Sequence, residues 1–152
     1  MKKDRVFFVF TGGLILLATV LLSQTKKPVA SPTQKAIPQA TLDRGKQVYL
    51  GQCLACHQVD GAGVPNMNPP LLKTKWVLGD KTQLVKVVLN GMTGEVEIND
   101  DTYHNVMAPH PDLTDQQISD VLTYVRNSWG NNAPAISPAE VKAIRAKNKP
   151  AK

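Results

Sequence analysis

Two thiols and an imidazole, Cys53, Cys56 and His57, fall within the five residues CLACH, and the chain has no other cysteine. Three chemistries use such a set. A redox disulfide of the C-x-x-C kind sits where a strand runs into a helix. No strand pattern precedes residue 53. A zinc site would join the two thiols to His104 and His110, which have five residues between them, an interval within the finger range. The gap between the two pairs is much longer than a finger's, and His57 is left without a task.

The third chemistry is covalent attachment of a haem, and it employs every residue of the motif. The thiols add to the two vinyl groups of one porphyrin as thioethers, and one helical turn matches that spacing. His57 is then held under the iron, with Nε2 as proximal ligand. A single haem c would also fill a thin core, since 42% of the residues are hydrophobic but only 5% aromatic. Thioether attachment takes place outside the cytoplasm, so this reading requires export.

A second axial ligand has to come from far along the chain. The loop HNVMAPHPDLT offers Met107, His104 and His110. Met1 is the start, Met67 follows His57 by only ten residues, and Met92 falls at a helix end. Met107 lies in a loop stiffened by Pro109 and Pro111, just ahead of a capped helix, and is the candidate; either histidine is the alternative. A thioether sulfur opposite histidine raises the potential relative to two histidines. With both positions filled, no site is left for a substrate. A ligating imidazole normally gives its other N–H to an acceptor, and in NPPLL the carbonyl of Pro69 or Pro70 is the candidate. Trp76 and Trp129 are candidates for the haem edge or for ordinary core packing.

The elements that must hold these groups are mostly helical. Residues 41–49 place Leu42, Gly45 and Tyr49 on one face, with Thr41 as the expected cap. Lys81–Asn90 aligns Leu84, Val87 and Val88, and Gly91 stops it. In LTDQQISDVLTYVRNSWG, Thr114 and Gln117 form a capping box, and Ile118, Val121, Leu122 and Val125 form the apolar stripe. Between the second and third helices, GEVEINDDTYHNVM alternates as a short strand, turns at residues 99–101 and returns through Tyr103. Ser137, Pro138 and Glu140 open a further short helix, whose Val141 and Ile144 are expected to touch the domain.

Residues 6–23 carry no charge and are flanked by Lys2, Lys3 and Arg5 on one side and Lys26 and Lys27 on the other. Residues 1–25 therefore read as a signal peptide or an N-terminal membrane anchor. The cations before it stay in the cytoplasm and the rest goes outside. Residues 26–40 are polar and proline-rich, a flexible linker. Residues 41–130 form the domain, and residues 131–152 a basic C-terminal extension with a short helix. The net charge of +6 divides into +5 over residues 1–40, −3 over 41–130 and +4 over 131–152. The cations belong to the ends rather than to a folded face, which argues against a nucleic-acid module.

The chain resembles the class I c-type cytochromes over residues 41–130, through RGKQVYLGQCLACH, NPPLL, and HNVMAPHPDLTDQQISDVLTYVRNSWG in that order. The long insertion with GEVEIN and the SWG ending resemble the small cytochromes that serve periplasmic dehydrogenases and copper-containing nitrite reductases. The chain departs from the pattern at MAPH and at His104. The resemblance implies an all-α fold of three main helices around one covalently bound haem, with a short hairpin-like insertion before the axial-methionine loop. It implies that the helix bearing Gly45 and Tyr49 crosses the terminal helix near Leu122 and Val125, and that Cys53, Cys56, His57 and Met107 bind the haem. The expected function is single-electron transfer between protein partners in the periplasm or at the outer face of the cytoplasmic membrane, with no small-molecule substrate. A dedicated subunit of a periplasmic dehydrogenase or nitrite reductase is the alternative. A gas sensor or weak peroxidase would need an open iron position.

Overall fold

The computed structural model describes residues 36–148. The expected leader and most of the linker, and the basic end after residue 148, lie outside the described residues. Helix α1 runs Gln39–Gln52, three residues earlier than a Thr41 cap would give. Pro38 occupies the cap position at φ −59°, and its carbonyl accepts the N–H of Thr41 at 3.0 Å. A preset proline φ starts this helix with no side-chain cap, so Thr41 falls inside the first turn.

The buried face of α1 is Gly45 and Tyr49, and it lies across α5, Asp115–Val125. A methyl group at Gly45 would come within 2.7 Å of Tyr124 Cβ and would overlap the Asp120 carbonyl. Only glycine lets the two backbones approach this closely. Beside the crossing, Arg44 grips the buried Asp120 carboxylate with two hydrogen bonds, at 2.7 and 3.1 Å. The capping box expected at Thr114 and Gln117 is formed, and Ile118, Val121, Leu122 and Val125 are buried.

Helix α2, Leu54–His57, follows α1 directly, and α3, Lys75–Leu78, is a single turn capped by Thr74. Helix α4 is Lys81–Asn90, capped by Asp80, with Leu84, Val85, Val88 and Leu89 buried. The strands β1, Val96–Ile98, and β2, Asp101–Tyr103, pair antiparallel, with Val96 opposite Tyr103. The two residues between them, Asn99 and Asp100, both have positive φ (54° and 68°), as a two-residue hairpin turn of matching twist requires.

The segment after Gly130 enters the core. Ile136 and Val141 are buried in the same cluster as Tyr49 and Ile118. The Ile136 backbone is held on α5 by Ser119 Oγ, 2.7 Å from its carbonyl, and by Thr123 Oγ1, which accepts its N–H at 3.1 Å. This explains why Ser119 and Thr123, off the predicted stripe, are buried. Helix α6, Pro138–Lys147, carries the Ser137–Glu140 capping box and packs on α5 and α4. Arg126 is buried as well, its guanidinium donating to the carbonyls of Val77, Gly79 and Pro134. Burial lowers its pKa.

Candidate functional site

Cys53 closes α1, its N–H on the Tyr49 carbonyl at 2.9 Å. Its own carbonyl accepts from Cys56 and His57, at 3.2 and 2.9 Å. That single turn brings both thiols and the imidazole together. Both cysteines are free; Cys53 is half-buried and Cys56 exposed. Burial, and secondarily the neighbouring Cys56, push the Cys53 thiol up to about 11. A redox-active thiol is favoured by the opposite shift.

His57 is buried, and its Nδ1 lies 3.0 Å from the Pro69 carbonyl. A carbonyl only accepts, so Nδ1 carries the proton and Nε2 keeps its lone pair. Burial lowers the pKa of the ring, with the Pro69 hydrogen bond opposing it. The loop that returns Pro69 depends on Gly63, at φ 69°, where a Cβ would lie 2.6 Å from that same carbonyl oxygen. It is further tied by Gly63 N–H to the His57 carbonyl at 3.1 Å and Leu71 N–H to the Gly61 carbonyl at 2.7 Å.

Trp129 packs on Tyr49 and Tyr124, with ring centroids 5.1 and 5.6 Å away, and gives its indole N–H to the Val59 carbonyl at 3.1 Å. Its donor is therefore committed to the protein. Trp76 lines a cavity of about 650 Å³ beside α4, together with Val87 and Met92. Neither cysteine nor His57 lines that cavity.

Met107 pairs with Met92 through two backbone hydrogen bonds, at 3.0 and 2.9 Å, and packs half-buried against the core. Glycine is needed at position 91, since a side chain there would strike the Met107 carbonyl and the Pro109 nitrogen. The His110 N–H bonds the Val88 carbonyl at 2.8 Å, which fixes the loop on the end of α4. Met67 is 51% exposed. His104 is exposed, with Nδ1 3.8 Å from a Glu95 carboxylate oxygen. Asn105 and Asn68 join the two loops through a 3.2 Å amide hydrogen bond.

Two free thiols on one turn beside an imidazole with a pinned tautomer form a donor set that suits a covalently held haem. The family comparison agrees: the description "Cytochrome c" matches residues 42–129. The chain belongs to the cytochrome c family. As a class I c-type cytochrome it carries covalently bound haem c and transfers electrons, without catalysing a reaction of its own.

This cytochrome is 33% identical over 156 residues to cytochrome c-552 of Thermus thermophilus, a match covering 97% of this chain and 88% of the relative. It is 36% identical over 110 residues to the cytochrome c subunit of a quinone alcohol dehydrogenase of Gluconobacter oxydans, across 70% of this chain and 23% of that subunit. The gluconate 2-dehydrogenase cytochrome c subunit of Pantoea cypripedii is 34% identical over 107 residues, across 66% of this chain and 24% of the relative. The chain thus spans about a quarter of the length of those two dehydrogenase subunits.

Several residues around the site escaped the sequence reading. Gly63 was legible in principle, in a DGAG stretch directly after the motif. The Asn68–Asn105 link, the buried Arg126, and the contacts of Arg145 and Asn148 carry no local signal. Each includes a hydrogen bond between residues 30 or more positions apart.

Proposed function

We propose that Cys53 and Cys56 hold the haem through thioethers, and that His57 Nε2 and Met107 Sδ are its axial ligands. Bound there, the haem supplies a one-electron redox centre. His57 is oriented by Pro69, which sets its tautomer and raises its basicity as a ligand. Met107 contributes a soft sulfur that raises the potential relative to a second imidazole, and filling both positions excludes water and substrate. The observation that carries this reading is the His57 Nδ1–Pro69 contact, which leaves one nitrogen free to ligate. Met107 packs half-buried against the core, whereas Met67 and His104 are exposed, and this supports its choice.

The domain would work outside the cytoplasm, tethered by residues 1–25, passing single electrons between protein partners. A second reading, a permanent subunit of a dehydrogenase, is favoured by the similarity to dehydrogenase cytochrome subunits. Co-purification with a catalytic chain at high salt would select it; a monomer whose encounters weaken with salt selects the shuttle.

The test is spectroscopic. The oxidised protein should show the long-wavelength band of iron–sulfur bonding, and Met107→Ala should abolish it and open the reduced iron to carbon monoxide. His104→Ala and His110→Ala should leave the band in place. Carbon monoxide binding by the unmodified reduced protein would overturn the Met107 assignment. Colour lost on acid-acetone extraction would overturn the thioethers.

A further inference from the structure

Helix α6 reaches both flanks of the loop that carries Met107. On one flank, the Arg145 guanidinium meets three acceptors in a row: the Pro111 carbonyl at 2.9 Å, the Leu113 carbonyl, and the Asp115 carboxylate at 2.7 Å. On the other, Asn148 and Asn90 exchange a pair of amide hydrogen bonds, at 2.7 and 3.1 Å. Asn90 is the last residue of α4, and two residues on, Met92 forms the backbone pairing with Met107. Arg145 and Asn148 are coupled directly, since the Asn148 N–H bonds the Arg145 carbonyl at 3.1 Å.

We propose that the end of α6 is a latch on the axial-methionine loop, with Arg145 and Asn148 as positioning residues for Met107. This rests on Met107 being a ligand. A thioether is a weak ligand, and one presented by a loop binds only as well as that loop is ordered beforehand. Charge-assisted hydrogen bonds are the stronger ones, and here Arg145 and Asp115 are each about two-thirds shielded from solvent. The latch differs from the fastening of α6 itself. That fastening is the buried Val141 and the 2.9 Å Lys81–Glu140 ion pair. Lys81 stands at the opposite end of α4, about 13 Å along the helix from Asn90.

The test uses the full-length holoprotein and exogenous imidazole as competitor for the methionine position, read by loss of the iron–sulfur band. Arg145→Gln and Asn148→Ala should each tighten apparent imidazole binding, the double variant by about tenfold. They should also speed amide exchange at Met107, and Arg145→Lys should restore part of the loss. Glu140→Gln, which loosens α6 elsewhere, should lower the melting temperature but leave both readouts unchanged. Unmoved imidazole affinity and exchange in the double variant would overturn the latch, as would an equal change in Glu140→Gln. Should Arg145→Gln fail to fold, Asn148→Ala alone decides by the same two readouts. A band missing from the unmodified protein overturns the ligand assignment itself, and the latch with it.

Discussion

At the scale of single residues, the Pro69 carbonyl decides which nitrogen of His57 stays basic. Its neighbour Gln58 shows what that placement costs the backbone. Gln58 has φ 63° and ψ 166°, a region that side chains rarely enter, and the Tyr49 hydroxyl donates to its carbonyl. Strain of this kind costs about 1–3 kcal/mol, and glycine there would add roughly 0.5–1 kcal/mol of lost chain entropy. Gln58→Gly is therefore expected to raise the melting temperature slightly while leaving the axial spectrum unchanged, measured on matched holoproteins. A fall in stability would show that the Gln58 side chain contributes more than its backbone strain removes. The motif itself was legible because its three residues act within one turn. The choice of Pro69 over Pro70 was not, because it depends on how a loop from residue 58 to 71 closes around Gly61 and Gly63.

At the scale of elements, the α1–α5 crossing tolerates nothing larger than hydrogen at residue 45. Gly45→Ala forces a methyl into backbone and is expected to cost about 3 kcal/mol, the upper part of the usual overpacking range. Denaturant melts of the holoprotein would measure it. Helix α6 brings a pH dependence of its own. Burial alone would raise the Glu140 carboxyl, but hydrogen bonds from Lys81 and from the Ser137 backbone and hydroxyl outweigh it and hold the pKa at about 2. A depressed carboxyl stabilises the fold above its unfolded pKa, near 4.3, and loses that contribution as pH falls toward 2. Wild type should therefore lose stability over that window more steeply than Glu140→Gln. The effect is modest, because the side chain is 43% exposed and solvent screens the pair. Both capping boxes were readable from sequence, since a cap is satisfied within four residues. The α1 start was misread, because Pro38 begins the helix with its backbone alone.

For the whole molecule, the charge is segregated: cations at the two ends and a mildly acidic middle. The proposed tether has a direct test at this scale. Full-length protein is expected to sediment with membranes and to resist a high-salt wash, whereas residues 36–152 behind a cleavable export signal should appear in the soluble fraction. Fractionation with amino-terminal sequencing checks this, and a soluble product shortened at its start would show that the leader is a signal peptide.

The sequence alone marked the CLACH motif, the capping boxes of α5 and α6 and the apolar stripe of α5, because each is written in residues within a turn or two of one another. The tertiary structure alone decided that Ile136 enters the core on α5, that Arg126 is buried among three carbonyls, and that Met107 is held against Met92 and between the contacts of Arg145 and Asn148. The physical reason is separation along the chain. Such contacts arise when distant surfaces pack, and hydrophobic periodicity marks which face is buried without naming what covers it.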